Sequence, residues 1–143
     1  MSSLSMGIEK YLDHCFSKFV EPLVDDLALH VKARVVDGLG GFYELQGGSL
    51  MVRLVNDRGL TSLEIAPSHQ PTDYWDLELL SGLFEPPPPR GVRRLNLEQQ
   101  AYLLRSRWPE LNTRFGRIRY LFTRRTLEQL GQERARALFG SDI

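Results

Sequence analysis

Apolar residues change their spacing twice along the chain, which divides it into three parts. Between Ser5 and Leu29, the residues Ile8, Leu12, Cys15, Phe19, Leu23 and Leu27 recur every three or four positions. Tyr11, Phe16, Val20 and Val24 widen that stripe, and Glu9, Asp13, Lys18, Glu21, Asp25 and Asp26 supply a wet side. The spacing predicts one amphipathic helix, kinked at Pro22, whose ring opposes the carbonyl four residues back.

From residue 31 the apolar positions alternate. Val31, Ala33 and Val35 against Lys32 and Arg34 predict a first strand, half-buried on the valine side. Phe42 to Gln46 is the second strand, with Tyr43 and Leu45 on one face. Ser49 to Val55 is the third, with Leu50, Val52 and Leu54 inward, and Leu60 to Ala66 is the fourth, ended by Pro67. DGLGG at 37–41 and NDRG at 56–59 supply turns, and Gly47-Gly48 predicts a two-residue hairpin tip.

Helical spacing then returns. Asp73 is read as the cap of a helix starting at Tyr74, with Trp75, Leu79 and Phe84 on its apolar face. EPPPPR at 85–90 lacks the donors a helix needs, so 85–91 reads as a proline-rich spacer. Asn96 and Gln99 form a capping box that opens a helix from Leu97 to about Arg107. Pro109 begins a short helix that ends at Gly116. A last helix starts at Arg117 or, with Thr126 and Gln129 as a capping box, at Thr123, and runs to Phe139. Its expected buried positions are Ile118, Leu121, Phe122, Leu127, Leu130 and Leu138, with Gly140 just beyond its end. The fold class is therefore α+β: an N-terminal kinked helix, a four-stranded antiparallel meander and three to four C-terminal helices in a single domain over 1–143.

Composition narrows the functional classes. The 143 residues are 42% apolar and 25% charged, as in soluble globular proteins, and the length suffices for one core. The single cysteine, Cys15, excludes an internal disulfide and falls on the apolar stripe. The chain has neither a spanning apolar run nor the pattern of a signal peptide, so the expected location is the cytoplasm of a bacterial-type cell, away from membranes. His14, His30 and His69 are widely separated and form no metal motif. GLGG at 38–41 lacks phosphate-loop spacing. Glu64 faces away from Leu63 and Ile65, and Asp73 and Asp76 are explained by a helix start. No enzyme motif, cofactor or metal is expected.

Charge is unevenly divided. The chain is neutral overall, but residues 1–89 hold 6 basic and 13 acidic residues, whereas 90–143 hold 12 basic and 5 acidic ones. All the basic residues of the second part are arginine, the side chain suited to bidentate contact with carboxylate or phosphate. Arg117, Arg119, Arg124 and Arg125 flank Tyr120 and Phe122, and Arg107 and Arg114 precede them. With Trp75 and Trp108 they are the candidate partner-binding residues.

The segment GGFYELQGGSLMVRLVNDRGLTSLEIAPSHQPTDYWDLELLSGLF, residues 40–84, resembles small bacterial proteins of toxin-immunity-like and uncharacterised families. The resemblance implies a meander followed by a tryptophan-bearing helix, and protein binding that occludes a toxin's active site. The resulting expectation is a non-enzymatic protein-interaction or regulatory module with a protein partner, able to form a homodimer. The alternative is a nucleic-acid-binding protein that uses the arginine-rich C-terminal helices.

Overall fold

Helix, sheet and helices follow in that order in a computed structural model, which describes residues 3–86 and 93–139. The spacer's residues 87–91 and Gly140 lie outside the described residues. The N-terminal helix is not one kinked rod. Helix α1, Ser3–Cys15, passes into a π-helical turn, Phe16–Val20, and then into α2, Glu21–Asp26. Pro22 occupies the first turn of α2, where its missing N–H is not needed. The wider turn before it absorbs the steric conflict, and the Glu21 N–H still reaches the Phe16 carbonyl. Leu12, Cys15, Val20 and Leu23 thus stay on one buried stripe through the proline.

The sheet has five antiparallel strands in sequence order: β1 His30–Val36, β2 Gly40–Gly47, β3 Leu50–Asp57, β4 Leu60–Pro67 and β5 Trp75–Asp76. Cross-strand register places Tyr43, Leu54 and Leu63 in one row and Leu45, Val52 and Ile65 in the next. These rows face the helices, and all but Tyr43 are fully buried. The opposite face carries Phe42, Val55 and Ser62 in one row and Glu44, Arg53 and Glu64 in another, all half-buried. The alternation read in the sequence for β2 to β4 is the alternation found.

Four expectations are corrected. In β1 the pairing shifts between Val31 and Ala33, so Val31 shares a row with Leu45 while Val35 shares one with Phe42 on the other face. Val31 and Val35 are 51% and 45% exposed, and this edge strand has no buried valine side. The β2–β3 hairpin turn is shifted by one residue: Gly47 pairs with Leu50, and the two-residue loop is Gly48-Ser49, with Gly48 at φ 55°. The helix expected from Tyr74 starts later, because Trp75 and Asp76 pair with β4 as β5. The cap of helix α3, Leu77–Leu80, is therefore Asp76, which accepts the Leu79 N–H, and not Asp73. A 3-10 turn over Ser81–Leu83 follows.

Helix α4, Leu97–Ser106, opens with the expected capping box: Asn96 accepts from the Gln99 N–H while Gln99 accepts from the Asn96 N–H. Its Gln100 is buried and accepts the Leu63 N–H at 2.8 Å, satisfying a donor of β4 beyond the reach of the two-residue β5. Helix α5, Trp108–Arg114, has Pro109 in its first turn. Helix α6, Tyr120–Phe139, buries Tyr120, Thr123 and Leu127 and packs on α3 and the 3-10 turn. The expected burial of Ile118, Leu121, Phe122 and Leu138 is overturned, since all four are exposed. Thr126 is no cap either; its hydroxyl donates to the Phe122 carbonyl inside the helix.

Candidate binding surface on helix α6

The segment between α5 and α6 is fixed by its polar and aromatic anchors. Phe115 is fully buried, and its carbonyl accepts from His69 Nε2 at 3.2 Å. The Gly116 carbonyl then accepts the N–H groups of Arg119 and Tyr120, which starts the helix. Thr123 donates its hydroxyl to the Arg114 carbonyl at 2.7 Å, clamping the first turn of α6 to the end of α5. Tyr120 donates to Asp73 and accepts from Trp75 Nε1 at 2.8 Å, while the His69 ring meets the Tyr120 ring edge-on at 5.7 Å. Burial, and next the hydrogen bond to Asp73, hold the Tyr120 phenol well above its ordinary pKa.

These anchors decide the helical phase. Successive residues turn about 100° around a helix, so with Tyr120 and Thr123 inward, Leu121 and Phe122 point away from the core. Leu121 is 57% exposed, Phe122 68% and Ile118 90%. Arg117, Arg119 and Arg125 are exposed beside them and make no ion pair among the described residues. The result is an apolar surface set among free guanidinium groups. The spacing of these apolar residues resembles a core stripe and predicts burial, because the hydroxyl anchors of Tyr120 and Thr123 leave no trace in hydropathy.

The other candidate residues divide into two groups with other employment. Arg124 lies 3.6 Å from Asp73 and 3.2 Å from Glu128. Arg107 pairs with Glu110 at 2.8 Å, and it and Arg114 lie 4.8 and 5.5 Å from the centre of the Phe84 ring. Trp75 and Trp108 are partly buried against the core. The Trp75 indole N–H is spent on Tyr120, and the Trp108 carbonyl accepts from Asn112 within α5.

A cleft of about 610 Å³ lies between the 3-10 turn and α4, lined by Phe84, Leu95, Glu98, Tyr102, Leu103 and Arg107 among others. Its walls mix apolar groups with both signs of charge, and they include no histidine or cysteine. Among the described residues no group of three His, Cys, Asp or Glu side chains is placed to hold a metal ion. No described helix is long and apolar enough to cross a membrane. Cys15 is a free, buried thiol, as its place on the apolar stripe implied. No protein-family model, curated protein or solved structure matches the chain.

Proposed function

We propose that the protein is a binding module that docks a partner protein through the 117–125 surface. The observation that carries this reading is the exposure of Ile118, Leu121 and Phe122 beside Arg117, Arg119 and Arg125, which make no ion pair among the described residues. Adjacent exposed apolar side chains cost solvation until something covers them, and aromatic residues with arginine are the groups enriched at protein interfaces. The matching partner has an apolar socket for Ile118 and Phe122 and carboxylates around its rim. In the setting implied by the toxin-immunity resemblance, docking would cover the partner's own site. The surface is rigid on its inner side, because Tyr120 and Thr123 are tied down, so little order has to be imposed on binding.

The test is affinity capture from the native cell with the wild-type protein and with Phe122→Ser, followed by identification of the bound proteins. We expect a reproducible partner that is retained by the wild type and lost with the variant. No reproducible partner, or capture indifferent to Phe122, defeats the reading.

A second reading is favoured by the same segment. Three exposed arginines beside an exposed Phe122 are also suited to phosphates and to stacking on a base. Fluorescence anisotropy with short single- and double-stranded DNA and RNA separates the two. Under the docking reading no binding is tighter than about 10 µM at about 0.15 M salt, within the usual non-specific range. Submicromolar binding abolished by replacing Arg117, Arg119 and Arg125 with alanine promotes nucleic acid to the first place.

A further inference from the structure

The molecule has a second exposed apolar region, at the other end of the sheet and on the face that the helices leave open. Val35, Phe42 and Val55 stand side by side on that face through the β1–β2 and β2–β3 register. Leu39 in the adjoining turn is 58% exposed, and Leu60, paired with Asp57 at the β3–β4 turn, is 80% exposed. A shallow groove of about 200 Å³ runs between Val35, Leu39, Phe42 and Val55. The charged groups around this end are Asp37, Asp57 and Arg58, and Arg58 lies 3.9 Å from Asp57. Further along the same face, Arg53 is paired with Glu64, and Glu44 accepts from the Tyr74 hydroxyl. Together these four carboxylates face two arginines, so the region is acidic.

The 117–125 surface has the opposite sign and sits at the opposite end. Asn112 of α5 accepts the Ser49 N–H in the β2–β3 turn, and Phe115 accepts from His69 just after β4. Those contacts place the start of α6 at the end of the sheet away from Leu39 and Leu60. Eight-residue strands set the two ends about 26 Å apart. One copy therefore cannot bring its own two patches together, whereas two copies can.

We infer that the basic apolar surface around Phe122 of one copy docks on the acidic apolar face around Leu39 and Leu60 of a second copy, giving head-to-tail association. The inference rests on reading 117–125 as a docking surface and adds the surface that covers it when no foreign partner is present. Opposite charge steers the encounter, and apolar contact holds it. Because the two surfaces differ, the contact is heterologous. The docked pair still offers one free head and one free tail, one on each copy, so assembly continues past a dimer or closes into a ring.

Sedimentation velocity over micromolar to near-millimolar protein tests this with Phe122→Glu, which spoils the head, and Leu60→Arg, which spoils the tail. Both positions are exposed, and unchanged unfolding midpoints verify the fold of each variant. We expect the wild-type mass to rise above the 16.4 kDa monomer with concentration. Each variant alone stays monomeric, and an equimolar mixture of the two recovers a species of twice the monomer mass, since one intact head and one intact tail remain. Wild type that is monomeric throughout, either variant alone still associating, or a mixture that stays monomeric overturns the inference. Such a failure is distinguishable from failure of the docking reading, because capture of a foreign partner depends on Phe122 and is indifferent to Leu60.

Discussion

Tyr120 is the residue on which the candidate surface turns. Its phenol joins Asp73 and Trp75, which lie in and next to β5, to the first turn of α6. Removing the hydroxyl with Tyr120→Phe leaves the half-buried Trp75 N–H without its acceptor and takes a donor from Asp73. The expected cost is about 1–3 kcal/mol in urea denaturation. The same phenol predicts an alkaline effect. Its folded-state pKa lies above the ordinary value of 10.0, so its contribution is intact below pH 10 and is lost as pH rises beyond it. Tyr74, whose phenol is raised by burial and by its hydrogen bond to Glu44, acts in the same direction. Tyr120→Phe should therefore flatten, without abolishing, the fall in stability above pH 10. Asp13 gives the acid counterpart. Its hydrogen bond to Arg34 is the largest cause that lowers its pKa, and the Tyr43 hydroxyl donates to it as well, at 2.5 Å. Its contribution is present above the ordinary value of 3.8 and is lost as pH falls through the lower folded value. Asp13→Asn should flatten the acid limb of a stability–pH curve below about pH 4.

At the scale of elements, legibility followed the length and regularity of the pattern. Strands β2 to β4 were readable because Leu45, Leu50, Val52, Leu54, Leu63 and Ile65 alternate without interruption and are all fully buried on one face. In β1 a single bulge reverses the face of every later residue, and a period of two carries no sign of it. The bulge has a physical use. It turns Arg34 to the Tyr43 side, where it meets Asp13 at 2.8 Å and Glu9 at 2.7 Å and pins α1 along the edge strand. Strand β5 has two residues, too few to show alternation, and its Asp76 takes the capping role expected of Asp73. Three glycines test the element assignments with different signs. Gly48 has φ 55°, and an added Cβ would sit 2.2 Å from Asn112 Oδ1, the atom that accepts the Ser49 N–H. Gly48→Ala should cost more than the roughly 1–2 kcal/mol of a left-handed conformation alone. Gly59, at φ 92° with open space around it, should show a backbone penalty without the steric one when made alanine. Gly131 lies inside α6 with nothing near its Cβ position, so Gly131→Ala should stabilise by about 0.5–1 kcal/mol. Denaturation midpoints of the three variants give the order directly.

For the molecule as a whole, the division of charge between the two parts of the chain becomes a division between pairing and display. The acidic first part supplies carboxylates that the arginines of the second part partly neutralise: Asp26 meets Arg105 at 3.1 Å, Asp76 meets Arg134 at 2.9 Å, and Asp73 meets Arg124. Arg117, Arg119 and Arg125 have no such pairing among the described residues, and they surround the apolar residues that the core does not use. The candidate arginines were legible from sequence, but which of them are engaged within the fold was not, since that depends on contacts between distant segments. The exposure of the apolar triplet yields a stability prediction that separates surface from core. A buried phenylalanine or leucine replaced by a small polar residue costs about 2–5 kcal/mol, from lost burial and the cavity left behind. Ile118, Leu121 and Phe122 have most of their area in water already, so Ile118→Ser and Phe122→Ser should each move the unfolding free energy by about 0.5 kcal/mol or less. Leu127→Ser, five residues beyond Phe122 in α6 and fully buried, is the internal control and should show the full core penalty. Urea unfolding of the three variants decides the matter: core-sized losses at 118 and 122 would return these side chains to the interior and remove the docking surface, whereas near-neutral values beside a costly Leu127→Ser leave an apolar face maintained at no benefit to the fold, as a binding surface would be.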